Sequence, residues 1–161
     1  MLGAVIVVLL QMLCTHQQNA QRLHRASHRQ RLKRVARASA ARVVTFGAVD
    51  GDYRVVGNEL CGPSGSIMNI ARMKRSMPHD VTNALAAAAV CMESGLANAE
   101  HVASALEHFE NAPHRIQFVA EINGVRWFND SKATSPHAAS VALRAFDSIV
   151  LIAGGRNKGL D

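Results

Sequence analysis

Gly124-Val-Arg-Trp-Phe-Asn-Asp-Ser-Lys-Ala-Thr134, followed twenty residues later by Gly154-Gly-Arg-Asn-Lys158, decides the fold class of this chain. Residues 125–128 read as a strand, residues 136–146 as a helix, and residues 148–153 (Ser-Ile-Val-Leu-Ile-Ala) as a second, fully buried strand. Strand, crossover helix and parallel strand form the unit that brings two C-terminal strand ends to one sheet edge, where α/β folds bind ligands. The spacing therefore predicts an α/β fold in which Asp130, Lys132, Thr134 and Lys158, on neighbouring loops, face one crevice.

Upstream of this unit, residues 116–122 alternate in polarity and Asn123-Gly124 is a two-residue hairpin signal, so residues 125–128 gain an antiparallel partner. The pattern changes at Asn111-Ala-Pro113, which places a domain boundary near residue 112. Before it, residues 79–95 predict a helix rich in Ala and Leu, with Asp80 able to cap its start and Gly95 suited to its end. Residues 100–109 predict a second helix, with Val102, Leu106 and Phe109 on one face. Residues 42–77 read as a short β meander, punctuated by Asp50-Gly51-Asp52 and by Gly62-Pro-Ser-Gly65. Three regions result: residues 1–41, an apolar run plus a basic segment; residues 42–111; and residues 112–161.

The charge is unevenly spread. Residues 1–49 hold eight Lys or Arg and no acid, whereas residues 50–161 hold ten basic and twelve acidic residues. The tract from Arg22 to Arg42 has only a thin apolar stripe and no interleaved aromatics, which suits a solvated or disordered segment better than a nucleic-acid site. The apolar run of residues 2–13 is too short to span a membrane and lacks the basic start of a secretory signal, so a buried strand over residues 4–10 is the preferred reading. Cys14, Cys61 and Cys91 match neither a zinc pattern nor a disulfide framework, and suit buried thiols in a reducing cytoplasm. No metal-ligating set is expected.

Several residue types fit the binding of a charged ligand. Asp130, at a strand end, can accept from ribose hydroxyls or help hold a cation, while Lys132 and Thr134 can bind an anionic oxygen and Lys158 offers a second cation. Read alone, Asp130-Ser-Lys-Ala-Thr134 is a solvated turn into a helix; the glycine-paired loop at the matching sheet edge weighs against that reading. His79 and Asn83, four apart at a helix start, share a face on which an adenine edge or a phosphate fits, although a packed histidine beside an N-cap explains them as well. Arg115, at the boundary, can reach a nucleotide held between two domains; by itself it is an ordinary surface residue.

Assembled in order, these residues give the chain a resemblance to the Mur ligases of bacterial cell-wall (peptidoglycan) synthesis, above all to their D-glutamate-adding branch. It is carried by His79-Asp-Val-Thr-Asn83-Ala-Leu-Ala-Ala, Pro113-His-Arg115, Asn123 to Thr134, and Gly154-Gly-Arg-Asn-Lys158-Gly, and it covers roughly residues 78–161. The resemblance implies the end of a central ATP-binding domain followed by the start of a Rossmann-like C-terminal domain. It implies ATP and Mg2+ as cofactors, UDP-N-acetylmuramoyl-L-alanine and D-glutamate as substrates, and a cytoplasmic monomer with no membrane span and no nucleic-acid partner. His79, Asn83, Arg115 and Asp130 then match nucleotide-contacting positions, and Thr134 and Lys158 match positions that hold D-glutamate. Lys132 belongs to the same signature, as the catalytic candidate serving the phosphate or the closed-domain geometry. In the family reaction ATP activates a carboxylate as an acyl phosphate, which the amino-acid amine then displaces.

One departure is visible: the family often carries Asn after the histidine, where this chain has Asp80. No phosphate loop of the type Gly-x-x-Gly-Lys-Ser/Thr occurs in the 161 residues, so this polypeptide alone is expected not to turn over ATP. Residues 1–41 look foreign to the family, as a truncated or frame-shifted gene would leave them. The alternatives are another ligase of the superfamily, such as one resembling folylpolyglutamate synthase, and a non-catalytic basic module that binds nucleic acid or an anionic membrane.

Overall fold

The computed structural model describes residues 4–7 and 43–154, and within them helices and strands alternate in a mixed α/β arrangement. The basic tract and Lys158 lie outside the described residues. The first group of elements is a β meander with a helical pair. Strands β2 (Arg54–Val56), β3 (Glu59–Gly62) and β4 (Gly65–Asn69) pair antiparallel in the order β2-β3-β4, as the turn signals predict. The β-branched run before them forms no strand of its own and touches the meander through one bridge, Phe46 to Tyr53. Helices α1 (Pro78–Glu93) and α2 (Ala99–His108) pack on it, and Tyr53, Leu60, Met68, Leu85, Ala88 and Val102 belong to their shared core. Small side chains on the buried face of α1 allow close approach: Ala84, Ala88 and Ala89 are all buried there.

The ends of α1 follow from backbone chemistry. Met77, not Asp80, is the N-cap; Pro78 opens the helix where its missing N–H costs nothing, and Asp80 three positions on accepts from the Met77 N–H at 3.2 Å. At the other end Gly95 adopts φ 72°, its N–H donating to the Met92 carbonyl at 3.1 Å while Leu96 N–H donates to Cys91 O at 3.0 Å. These two bonds close the helix with the left-handed turn that glycine tolerates best.

The second group is a four-stranded sheet in the order β5-β6-β1-β7. Strands β5 (Gln117–Ile122) and β6 (Val125–Asn129) form the expected hairpin, with Asn123 at φ 52° and Gly124 at φ 76°, the paired positive values of a type I′ turn. Helix α3 (Pro136–Leu143) is capped by Ser135 and stops three residues before the predicted end, so that Phe146 folds back to pack its ring 4.8 Å from that of Phe128. Strand β7 (Ile149–Ile152) lies parallel to β1 but is not β6's neighbour. Strand β1 (Ala4–Val7) sits between them, its Ala4 opposite both Arg126 and Ile149. The predicted N-terminal strand is present at Ala4–Val7, with residues 8–10 outside the described residues, and it separates two strands that the βαβ reading places side by side.

The expectation of a fully buried β7 is corrected. Val150 is 61% and Ile152 48% exposed, because among the described residues β7 is an edge strand with a pairing partner on one side only. An unbroken apolar run signals burial on two faces only when neighbours cover both, and sequence periodicity does not report that. A second core, built on Ile116, Phe128, Ala133, Ala139 and Ala142, holds the sheet and α3 together. Cys61 and Cys91 are free and partly buried, and Cys14 lies outside the described residues. Among the described residues no helix is long and apolar enough to cross a membrane.

Candidate functional site

The two groups of elements meet where the N-terminus of α1 approaches the turn that enters β5. Arg75 occupies this junction. Its Nε and Nη2 donate to the two carboxylate oxygens of Asp80 at 2.7 Å each, and Nη1 donates to the carbonyls of Arg115 at 3.1 Å and Ile116 at 2.9 Å. The remaining Nη2 hydrogen faces His79 Nε2, with the two nitrogens 3.3 Å apart. The carboxamide of Asn111, turned with its oxygen toward the guanidinium, accepts as well. A guanidinium only donates, so the Nη2–H calls for an acceptor at His79 Nε2, while Asp80 Oδ1 lies 3.3 Å from the same nitrogen.

His79 Nε2 thus stands between a donor and an acceptor. Burial holds its pKa below the ordinary 6.5, outweighing the Asp80 carboxylate, which pulls the other way; Arg75 adds to the depression. Asp80, the departure from the family pattern, is occupied by Arg75 and by the Met77 N–H. Its acid is explained by the pair it makes within the chain. Arg75 itself escaped the sequence reading, since it belongs to no motif; the one available signal was an acid in the first turn of a predicted helix with an arginine five residues before it.

The turn carrying Arg115 is under backbone strain. His114 has φ 67° and Ile116 φ 45°, and a β-branched residue with positive φ is a genuine outlier. Both polar groups of Ile116 are fixed: its carbonyl by Arg75, and its N–H by Asp130 Oδ1 at 3.0 Å. Strain of this kind, of order 1–3 kcal/mol per residue, persists only where surrounding contacts over-determine it. Asp130 is 4% exposed, and burial raises its carboxyl pKa above the usual range although the Ile116 N–H and the nearby Arg115, His79 and Arg75 all act to lower it.

The loop after β6 is tied to the same turn. Lys132 N–H donates to His114 O at 3.1 Å, Ala133 N–H to Asp130 O at 2.9 Å, and Thr134 N–H to Lys132 O at 2.9 Å. His114 Nδ1 and the Asn129 carboxamide nitrogen lie 2.8 Å apart. Of the residues expected to share a crevice, Asp130 is buried, Lys132 and Thr134 are exposed, and Lys158 lies outside the described residues. The structure thus gathers His79 and Asp130 around Arg75, with Arg115 on the turn between them.

Beside this cluster lies a cavity of about 670 Å³ between α1, α2 and the β5–β6 hairpin. Lys74, Arg75, Asp80, Asn83, Glu110, Asn111 and Gln117 line it beside apolar side chains such as Leu106, Phe109, Phe118 and Phe128. A space of this size, with apolar walls and several polar groups, has the dimensions of a small-molecule site. The residues fit Mg2+ poorly. Among the described residues no three His, Cys, Asp or Glu converge, and Asp130 is buried with an oxygen already engaged by Ile116.

No family model matches the chain. Curated proteins do. It is 46% identical over 96 residues to a UDP-N-acetylmuramoylalanine–D-glutamate ligase of Frankia casuarinae, covering 60% of this chain and 20% of that protein. Ligases of the same name from Streptococcus mutans serotype c and Shigella boydii serotype 4 are 38% and 39% identical over 132 residues, 79% and 78% of this chain and 29% and 30% of theirs. The chain therefore spans between a fifth and a third of the length of these relatives. The resemblance to the Mur ligases read from four short motifs thus extends over most of the chain.

Proposed function

We propose that this chain is a segment of an ATP-dependent ligase that joins D-glutamate to UDP-N-acetylmuramoyl-L-alanine in peptidoglycan synthesis. The observation that supports the reading is the junction at Arg75, which joins His79 at the start of α1 to the turn carrying Arg115 and, through Ile116, to Asp130, beside a cavity lined by Asn83. In this reading the adenine of ATP enters the cavity against Asn83, and Arg115 and Asp130 serve the nucleotide where residues 42–111 meet residues 112–161. That meeting is then the junction of a central ATPase-type domain and a Rossmann-like C-terminal domain. Exposed Lys132 meets the transferring phosphate as a mobile point charge, and Thr134 with Lys158 holds D-glutamate.

Mg2+ and the grip on the phosphates come from outside the described residues, since the 161 residues hold no phosphate loop. We infer that the polypeptide by itself does not turn over ATP, that it works in the cytoplasm as a monomer, and that its partners are the two substrates and no nucleic acid or membrane. A graft tests the assignment. Residues 78–154 of this chain replace the corresponding segment of the similar Thermobifida fusca ligase, and amide formation on UDP-N-acetylmuramoyl-L-alanine is followed with D-glutamate, L-alanine and L-lysine. Activity with D-glutamate alone is the expected outcome. A folded graft that is inactive, or that prefers another amino acid, overturns it in favour of a different member of the superfamily.

A further inference from the structure

Arg75 satisfies a set of groups that no single motif contains. Its five N–H donors reach Asp80, His79, and the carbonyls of Arg115 and Ile116, spanning the N-terminus of α1 and the strained turn before β5. The residue is part-buried, at 25% side-chain exposure, and Asp80 at 10% is more buried still. A fork of this kind is directional in a way that an ammonium is not, so lysine cannot reproduce it. Both ends of the fork have consequences. At one end a guanidinium donor lies 3.3 Å from His79 Nε2, a nitrogen that Asp80 Oδ1 approaches as closely, and a bare Nε2 satisfies the donor; at the other, the carbonyls of two successive residues are drawn toward α1.

We propose that Arg75 is a positioning residue of this site: it fixes His79 as the Nδ1–H tautomer and anchors the turn that carries Arg115. Ile116 stands in a left-handed conformation that its branched side chain disfavours, and it is Arg75 on its carbonyl, with Asp130 on its N–H, that holds it there. Removing the fork releases the turn on one side and leaves His79 free to exchange tautomers. Two groups that the proposed nucleotide site uses would then lose their set positions together. The tautomer and the turn stand on geometry alone; their service to nucleotide binding rests on the ligase reading.

Two measurements separate these parts. Nitrogen–proton correlation spectra of the His79 ring in the intact 161-residue chain at neutral pH report the tautomer directly. The wild type is expected to show a bare Nε2 and a protonated Nδ1, and Arg75→Lys a mixture of both forms. A protonated Nε2 in the wild type, or an unchanged ring signal in Arg75→Lys, overturns the proposal; if Arg75→Lys does not fold, the wild-type signal alone decides. ATP affinity is then measured in a graft extended to begin before Arg75, with and without Arg75→Lys, at matched urea midpoints. A loss of tenfold or more supports the positioning role, and equal affinity overturns it. A graft that binds no ATP even with Arg75 present counts against the ligase reading, and the role of Arg75 is then decided by the tautomer alone.

Discussion

Asp80 illustrates how a single changed atom redirects a site. An Asn in its place would keep one acceptor for Arg75 but lose the charge, and would leave one guanidinium N–H facing an amide donor. Charge-assisted, bidentate pairs of this type are the strong ones, so Asp80→Asn is expected to cost about 1.5–3 kcal/mol in stability, read from urea unfolding by the fluorescence of Trp127. In an Arg75→Gln background the same change is expected to cost less than ~1 kcal/mol, because the partner it fails is gone. Equal costs in both backgrounds would mean that Asp80 acts through the helix start and not through Arg75. The neighbouring titrations have opposite signs. Burial raises Asp130 above 3.8, so the folded chain binds that proton more tightly than the unfolded one, and stability falls as pH rises from 3.8 through the raised value. Burial lowers His79 below 6.5, so the unfolded chain binds that proton more tightly, and stability rises with pH through the window that ends at 6.5. Asp130→Asn should therefore gain on the wild type as pH increases above 3.8, while His79→Gln should gain on it as pH decreases below 6.5. Urea midpoints in a pH series decide both, and a reversed slope in either variant rejects that assignment.

Strands and helices show where local signals suffice. The meander depends on Gly51, at φ 132°, where an added Cβ would come within 3.0–3.1 Å of the Phe46 backbone. Gly57, at φ 61°, has nothing within 4 Å of that position. Gly51→Ala must move backbone as well as bear a disfavoured φ, whereas Gly57→Ala bears only the torsional cost of about 1 kcal/mol. Urea titration should rank Gly51→Ala as the more damaging by at least ~1 kcal/mol, and the reverse order would mean that the 46–53 contact forms no part of the stable fold. The turn at Gly51 was legible in advance, as were helices α1 and α2 and the Asn123-Gly124 hairpin, because glycine, proline and helical spacing act within a few residues. The position of β1 between β6 and β7 was not, since parallel pairing is set by partners far along the chain. Nor was the exposure of Val150 and Ile152, which depends on what covers an edge. In the site, the motifs brought out His79, Asn83, Arg115 and Asp130, but Arg75 joins the turn only through backbone carbonyls, which carry no sequence signature.

The described residues form two cores that share no residue. One lies among β2–β4, α1 and α2, with Leu85 fully buried in it; the other lies against α3, with Phe128 and Ala142. Met77, just ahead of α1, packs against the second core, and Arg75 ties the start of α1 to the turn before β5. Contacts so few and so polar should transmit little of a perturbation made in one core to the other. Leu85→Ala, which removes a fully buried side chain, is expected to cost about 2–5 kcal/mol in its own core. Hydrogen exchange followed by mass spectrometry should then show α1 and α2 amides losing protection by roughly thirtyfold or more, while β5 and β6 amides change by less than about threefold. Uniform loss across both groups would show one cooperative unit, and the proposed division near residue 112 would fall with it. A confined loss would mean that the junction around Arg75 lies between parts able to open independently, as the proposed nucleotide site requires.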